Sequence, residues 1–297
     1  MARRGDRKSR AARHYRAGLN FELWKGGRPN GWWARGGGVE LNRSSNERMS
    51  VSNALAEAGC VAPRAEADAL LMASSEGAGP IEELIARRQR GEPLAWITGS
   101  MSFCGVRVRV DPGVFVPRPH SQALARRAVS LLPDGGIAVD LCTGSGAVAV
   151  VLGSGHPRAT VVATDLDPVA VACARRNDVH ALVGNLDEPL SPELRGRVDV
   201  ITAVVPYVPT EELHLLPRDV LAHEPRRALD GGRSGTKVLV RAAEVAARWL
   251  RPGGSVLLEI GGDQAGEVST TLTDLGFSEI RVHRDEEGQD RAIEGHR

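Results

Sequence analysis

Residues 137–149 read IAVDLCTGSGAVA. An apolar run of strand length, ending in Asp140-Leu141, passes straight into two closely spaced glycines and then into residues of helical character. Such a strand–turn–helix unit presents backbone N–H groups and a helix N-terminus to one open space. Gly144 and Gly146 permit a tight turn and let the backbone come close to a ligand that a Cβ would exclude. Nineteen residues past Gly146, at the end of the next apolar run, stands Asp165. A carboxylate placed there can accept both hydroxyls of a ribose. Asp167-Pro168 then reads as the N-cap and first position of a helix.

Outward from this unit, strand-like runs recur at 137–142, 159–166, 181–185, 199–205 and 255–261, most of them separated by helical stretches such as 168–177 and 235–251. Continuous apolar strands joined by crossover helices predict an α/β fold with a parallel sheet covered on both faces. Ligands of such sheets bind beyond the carboxyl ends of the strands. Upstream, residues 49–92 carry apolar positions three and four apart, broken by Gly and Pro, and predict a small helical domain. Residues 93–119 predict a linker: Val106, Val108 and Val110 alternate with Arg107 and Arg109, and Asp111-Pro112-Gly113 makes a turn, so a β-hairpin is expected there. The α/β domain is expected over 120–297.

Residues 1–48 are rich in Arg and Gly, lack periodicity and hold 12 Lys+Arg against 4 Asp+Glu, leaving 26 against 33 for the rest. This stretch is expected to be a basic, disordered extension, or to precede a true start at Met49. Trp24, Trp32 and Trp33 among its arginines also suit a nucleic-acid-binding arm. The acidic body gives no reason to expect nucleic-acid binding. Cys60, Cys104, Cys142 and Cys173 are far apart, lack metal-ligand spacing and sit beside apolar residues, as small buried thiols of a reducing cytoplasm do. No metal site is expected. An uninterrupted apolar run of about 18 residues, the length needed to span a membrane, is absent from the sequence, and the basic N-terminus has no apolar segment behind it.

Two ligands fit the glycine loop. Gly144-x-Gly146-x-x-Ala149 with Asp165 satisfies a loose dinucleotide fingerprint. S-adenosylmethionine fits as well, and two residues favour it. Asp140 suits a ligand with a cationic amino-acid end, and Asn185, closing the third strand, offers a side-chain carbonyl to an adenine amino group.

Four stretches resemble a known family. GEPLAWITGSMSFCGVRVRVDPGVFVPRP (91–119) resembles the linker that precedes the catalytic domain of the release-factor glutamine methyltransferases. DLCTGSGAVAV (140–150) resembles their D-L-G-T-G-S-G-A-I-A cofactor loop. HEPRRALDGGRSG (223–235) and LRPGGSVLLEIG (250–261) resemble two later segments. The similarity covers about 51–293. It implies a Rossmann-like methyltransferase domain with a seven-stranded, mostly parallel sheet, S-adenosylmethionine as cofactor, and methyl transfer to the side-chain nitrogen of a glutamine in the Gly-Gly-Gln loop of a peptide chain release factor. By the same resemblance the cofactor contacts fall on Asp140, Thr143, Gly144, Ser145, Gly146, Asp165, Asn185 and Val204, and the catalytic segment on Val204, Val205, Pro206 and Tyr207. A cytoplasmic protein is expected.

The catalytic segment departs from the family, which carries Asn-Pro-Pro-Tyr there. An amide nitrogen is a poor nucleophile, and the family Asn and the next backbone carbonyl accept its two hydrogens and aim it at the methyl group. Val204 cannot accept a hydrogen bond. A weak glutamine methyltransferase, a methyltransferase for another, possibly small-molecule acceptor, and an impaired cofactor-binding homologue all remain open. His120-Ser121-Gln122 stands where the family tends to be acidic. His120 is read as a structural residue at a helix start, because amide methylation needs no base before transfer. His223-Glu224 and Asp230-Gly231-Gly232 read as a surface loop and a turn, or, by the resemblance, as a loop packed against the active site.

Overall fold

The computed structural model describes residues 45–297. It begins with α1 (Ser45–Glu57), α2 (Pro63–Ser75), α3 (Ile81–Gln89) and the short α4 (Leu94–Ile97). Val51 and Leu55, Ala67, Leu70 and Leu71, and Leu84 recur at helical spacing and close on Ile97 as a core of their own. The buried Glu66 is held by Arg88 at 2.6 Å. Among the described residues the helical part opens at Ser45, ahead of the boundary expected at Met49, and Glu47 in the first turn of α1 complements the positive helix end. The disorder expected of the rest of the extension, and any role for Trp24, Trp32 and Trp33, lie outside the described residues.

A hairpin of β1 (Ser100–Phe103) and β2 (Val106–Arg109) follows, antiparallel with Phe103 opposite Val106. Phe103 and Val108 are buried while Arg107 and Arg109 are exposed, so the alternation read in the sequence is the alternation of the strand's two faces.

The rest is a seven-stranded sheet of β3 (Ile137–Leu141), β4 (Thr160–Asp165), β5 (His180–Val183), β6 (Val198–Ala203), β7 (Leu250–Glu259), β8 (Ser278–Arg284) and β9 (Asp290–His296), in the order β5-β4-β3-β6-β7-β9-β8. Only β9 runs against its neighbours. The helices of this part are α5 (Ser121–Leu131), α6 (Ala147–Gly155), α7 (Pro168–Arg176), α8 (Arg218–His223), α9 (Lys237–Trp249) and α10 (Ala265–Asp274). Successive residues of a strand supply opposite faces. Ala138, Val200 and Leu257 pack under α5 and α6, while Val139, Ile201, Val256 and Leu258 pack under α9 and α10. Both faces of the central strands are therefore apolar, which explains their unbroken hydrophobic runs.

β8 and β9 carry too many charges to read as strands of a sheet. The charges are accommodated in pairs. Glu294, fully buried, accepts two bonds from Arg127 (2.8 and 2.7 Å), one from His283 (2.8 Å) and one from His296 (2.9 Å). Burial alone would raise its carboxyl, but these partners hold it down at about 2.

Candidate active site

The parallel strands end along one edge of the sheet, and β3 is where the order turns: β4 lies on one side and β6 on the other. A crevice opens at such a switch point. The loop after β3 crosses it in a left-handed conformation at Cys142 (φ 55°), Gly144 (φ 56°) and Gly146 (φ 84°). At Gly146 a Cβ would come within 3.0 Å of Val179 and 3.1 Å of Ala174, so glycine lets α6 start hard against the end of α7. Cys142 occupies the position at which the resembling loop has glycine, and its φ explains that glycine: an L-residue there costs about 1–2 kcal/mol.

Two carboxylates frame the loop. Asp140 is buried, its Oδ2 accepting the Thr143 hydroxyl at 2.6 Å and its Oδ1 the Thr202 hydroxyl at 2.7 Å. Burial pushes its carboxyl up to about 6 against these two bonds, and Asp165 adds to the rise. Asp165 Oδ2 accepts Gly144 N at 2.9 Å and its Oδ1 accepts Asp167 N at 2.9 Å. Its carboxyl is likewise raised, chiefly by burial. Each oxygen of a carboxylate has two lone pairs, so Asp165 braces the loop and still has acceptor capacity for a ligand. Thr143 N donates to Thr164 O at 3.0 Å, a second tie between loop and β4. Asp167 caps α7 by accepting Val169 N, with Pro168 first in the helix, as its sequence suggests.

Asn185 follows β5. Its backbone and side-chain amides both donate to Glu188, each at 3.2 Å, which leaves its Oδ1 as an acceptor. Leu166, beside Asp165, is 65% exposed, an apolar surface at the same edge. Ser145 is placed differently from its neighbours: its hydroxyl is buried, and its carbonyl accepts Asn177 Nδ2 at 2.8 Å. It can meet a ligand only through its backbone.

Val204, Val205, Pro206 and Tyr207 leave the end of β6, and all but Pro206 line a small cavity with Phe115 and Leu229. The side chain of Val204 packs toward the aliphatic layer under α5 and α6. Sequence reasoning misses what holds this cavity. Arg118 and Glu224, both buried, pair at 2.6 Å, Glu224 also accepts Val116 N at 3.3 Å, and the Arg118 guanidinium stacks 4.5 Å above Phe115. The linker is thereby clamped to the loop between β6 and α9. The signal in the sequence is an arginine between two prolines in an apolar stretch, Pro117-Arg118-Pro119. Gly231 and Gly235 belong to the same wall. A Cβ would fall 2.6 Å from Pro206 O at Gly231 and 2.2 Å from Tyr207 O at Gly235. The segment 223–235 therefore packs on the catalytic segment and is not a free surface turn. A larger cleft, about 950 Å³, lies between β2, α6 and His180, at the amino ends of β4 and β5, and none of the proposed cofactor or catalytic residues lines it.

No family model matches the chain. Individual proteins do. The chain is 36% identical over 218 residues to a protein of Geobacter sulfurreducens named release factor glutamine methyltransferase, covering 71% of this chain and 76% of the relative. A protein of the same name from Mycolicibacterium smegmatis is 35% identical over 262 residues, 80% of this chain and 92% of its own length. A third, from Streptomyces coelicolor, is 32% identical across 82% of this chain and 95% of its own length. Identity at this level, over 76%, 92% and 95% of these relatives' lengths, places the chain in the release factor glutamine methyltransferase family.

Proposed function

We propose that the chain transfers a methyl group from S-adenosylmethionine to the side-chain nitrogen of a glutamine in the Gly-Gly-Gln loop of a peptide chain release factor. The observation that carries the cofactor is the pair of carboxylates, Asp140 and Asp165, framing the Gly144 loop. Asp165 would suit the ribose of either ligand, but the negative charge of Asp140 before the loop is unfavourable to a dinucleotide's pyrophosphate and attracts a cationic ligand. The donor set fits the remainder of the cofactor. Asp165 would take the ribose hydroxyls, Oδ1 of Asn185 the adenine amino group, and the exposed Leu166 the face of the base. Thr143, Gly144, Ser145 and Gly146 would present backbone, and Asp140 its charge through the loop that it braces. When bound, S-adenosylmethionine supplies an electrophilic methyl group on a sulfonium.

The chain's own part is to bind, orient and exclude water. The Val205 carbonyl would accept one hydrogen of the acceptor amide, and Phe115 and Tyr207 would wall the pocket. Val204 supplies no second acceptor, and loss of one preorganised partner lowers a rate by about a hundredfold or more. The same apolar packing of Val204 favours, as a second reading, an acceptor less polar than an amide. A release factor as acceptor implies a cytoplasmic protein. Among the described residues no helix is long and apolar enough to cross a membrane.

Calorimetry and mass spectrometry test the proposal together. S-adenosylhomocysteine binds and NADH does not, and Val204→Asn raises turnover on a release factor bearing Gly-Gly-Gln, mainly in kcat, because the added acceptor acts on the nitrogen during transfer. NADH binding without a response to S-adenosylhomocysteine sinks the cofactor assignment. Cofactor binding with no methylated glutamine in either form sinks the acceptor, and activity that falls in the Val204→Asn variant moves the assignment to the less polar acceptor.

A further inference from the structure

Three polar groups meet beneath the acceptor pocket, and the function proposed above uses only one of them. His120 Nε2 lies 3.2 Å from Glu259 Oε1 and 3.4 Å from Tyr207 Oη. The imidazole side chain is 9% exposed and the carboxylate side chain 1%. They come from three places in the chain: the turn before α5, the end of β7 and the segment after β6. A histidine at a helix start ordinarily caps the helix or faces water. Here it does neither, since no side-chain cap bond is made and the ring is turned inward.

Glu259 is the anchor. Burial opposes its charge, but His120 first, and then Ser121 and Arg291, outweigh burial and keep its carboxyl below the usual range. The imidazole is fixed in return: its Nε2–H, directed at Glu259, is shared with Tyr207 Oη, which accepts it at the longer 3.4 Å. The rest of Tyr207 is set by backbone. Its ring lies on Gly261, where a Cβ would come within 2.9 Å of Cε2, and its carbonyl accepts Gln264 Nε2 at 2.8 Å. Apolar neighbours pack on the ring as well, but such contacts are non-directional, and His120 meets the polar end of the side chain.

We propose that His120, anchored by Glu259, is a positioning residue for methyl transfer that holds the Tyr207 phenol and so fixes the wall of the acceptor pocket. The proposal rests on reading Val204–Tyr207 as that pocket. It assigns a role to a second place where this chain differs from the family it resembles.

The test is a double-mutant cycle with a spectroscopic arm. On a release factor bearing Gly-Gly-Gln, His120→Leu lowers kcat about tenfold with KM within about twofold, because a misplaced wall costs rate more than partner binding. His120→Gln, whose amide nitrogen reaches the place of Nε2, recovers most of the loss. In a Tyr207→Phe background His120→Leu costs less than about twofold, the coupling expected when one residue acts through the other. Equal losses in the two backgrounds, a loss confined to KM, or no rescue by Gln overturn the proposal. The chain has two tyrosines, Tyr15 and Tyr207, so protein labelled with 3-fluorotyrosine gives two fluorine resonances, and Tyr207→Phe identifies one. In His120→Leu that line moves toward free 3-fluorotyrosine while affinity for S-adenosylhomocysteine is kept. A line that stays in place overturns the proposal even if no acceptor is ever methylated, which separates its failure from failure of the glutamine assignment.

Discussion

Asp140 shows how one side chain couples ligand charge to acidity. Its carboxyl, raised to about 6 by burial, is mostly ionised at neutral pH and becomes neutral as pH falls through that value. A cationic ligand prefers the ionised form, so affinity for S-adenosylhomocysteine is full at pH 7–8 and declines below about 6, and Asp140→Asn flattens the profile. Calorimetry across that range checks the sign. Cys142 makes a second residue-scale statement. Glycine there relieves the left-handed strain of about 1–2 kcal/mol but adds unfolded-state entropy of about 0.4–1 kcal/mol, so Cys142→Gly stabilises by roughly 0.5–1 kcal/mol in denaturant unfolding. At this scale the sequence is informative where a residue's chemistry is local. Asp165 and Asn185 stand out by their spacing, and the structure puts both at the carboxyl edge of the sheet. Ser145 groups with them in the sequence because nothing in a linear pattern tells a hydroxyl turned inward from one turned outward.

Among the elements, the parallel strands are legible because burial on both faces leaves an unbroken apolar signature, and each lies within a few residues of its expected place, apart from the early start of β7 at Leu250. β8 and β9 are not legible from their residues; the seven-stranded count comes from the resemblance alone. The reason is Glu294. A fully buried strand position occupied by a carboxylate erases the hydrophobic pattern, and only Arg127, His283 and His296, brought to it by the fold, make it tolerable. Removing one partner of a buried charge cluster costs about 3–5 kcal/mol, so Glu294→Gln should lower unfolding free energy by that order at pH 7. The sign with pH follows from a carboxyl held at about 2 against an ordinary 4.5. The stabilisation is complete above about 4.5 and drains away as pH falls toward 2. The gap between wild type and variant in urea unfolding therefore narrows over that window, and a constant gap would refute the assignment.

On the scale of the whole molecule, the Arg118–Glu224 pair joins the linker to the loop that carries the pocket wall. Its partners lie 106 residues apart, which is why their pairing cannot be read until the chain is folded, although the resemblance already sets Glu224 in a loop near the active site. Arg118→Ala leaves Glu224 buried and unpaired, at a cost of about 3–5 kcal/mol, and frees Phe115. Melting temperature and acceptor turnover should both drop while S-adenosylhomocysteine affinity stays within about threefold, since the glycine loop lies outside the clamp. Loss of cofactor affinity as large as the loss of turnover would show that the clamp shapes both halves of the crevice.

The lone reversed strand has a consequence for how the protein is made. β9 lies between β7 and β8 yet is the last of the three to be synthesised. Until it emerges from the ribosome, β7 presents Val256, Leu257 and Leu258 along an open, apolar edge, the kind of template on which nascent chains aggregate. Residues 278–296 can pair first as a β8–β9 hairpin and then insert as one piece, so a chain stalled or truncated near residue 289 would keep its glycine loop and leave that edge open to aggregation.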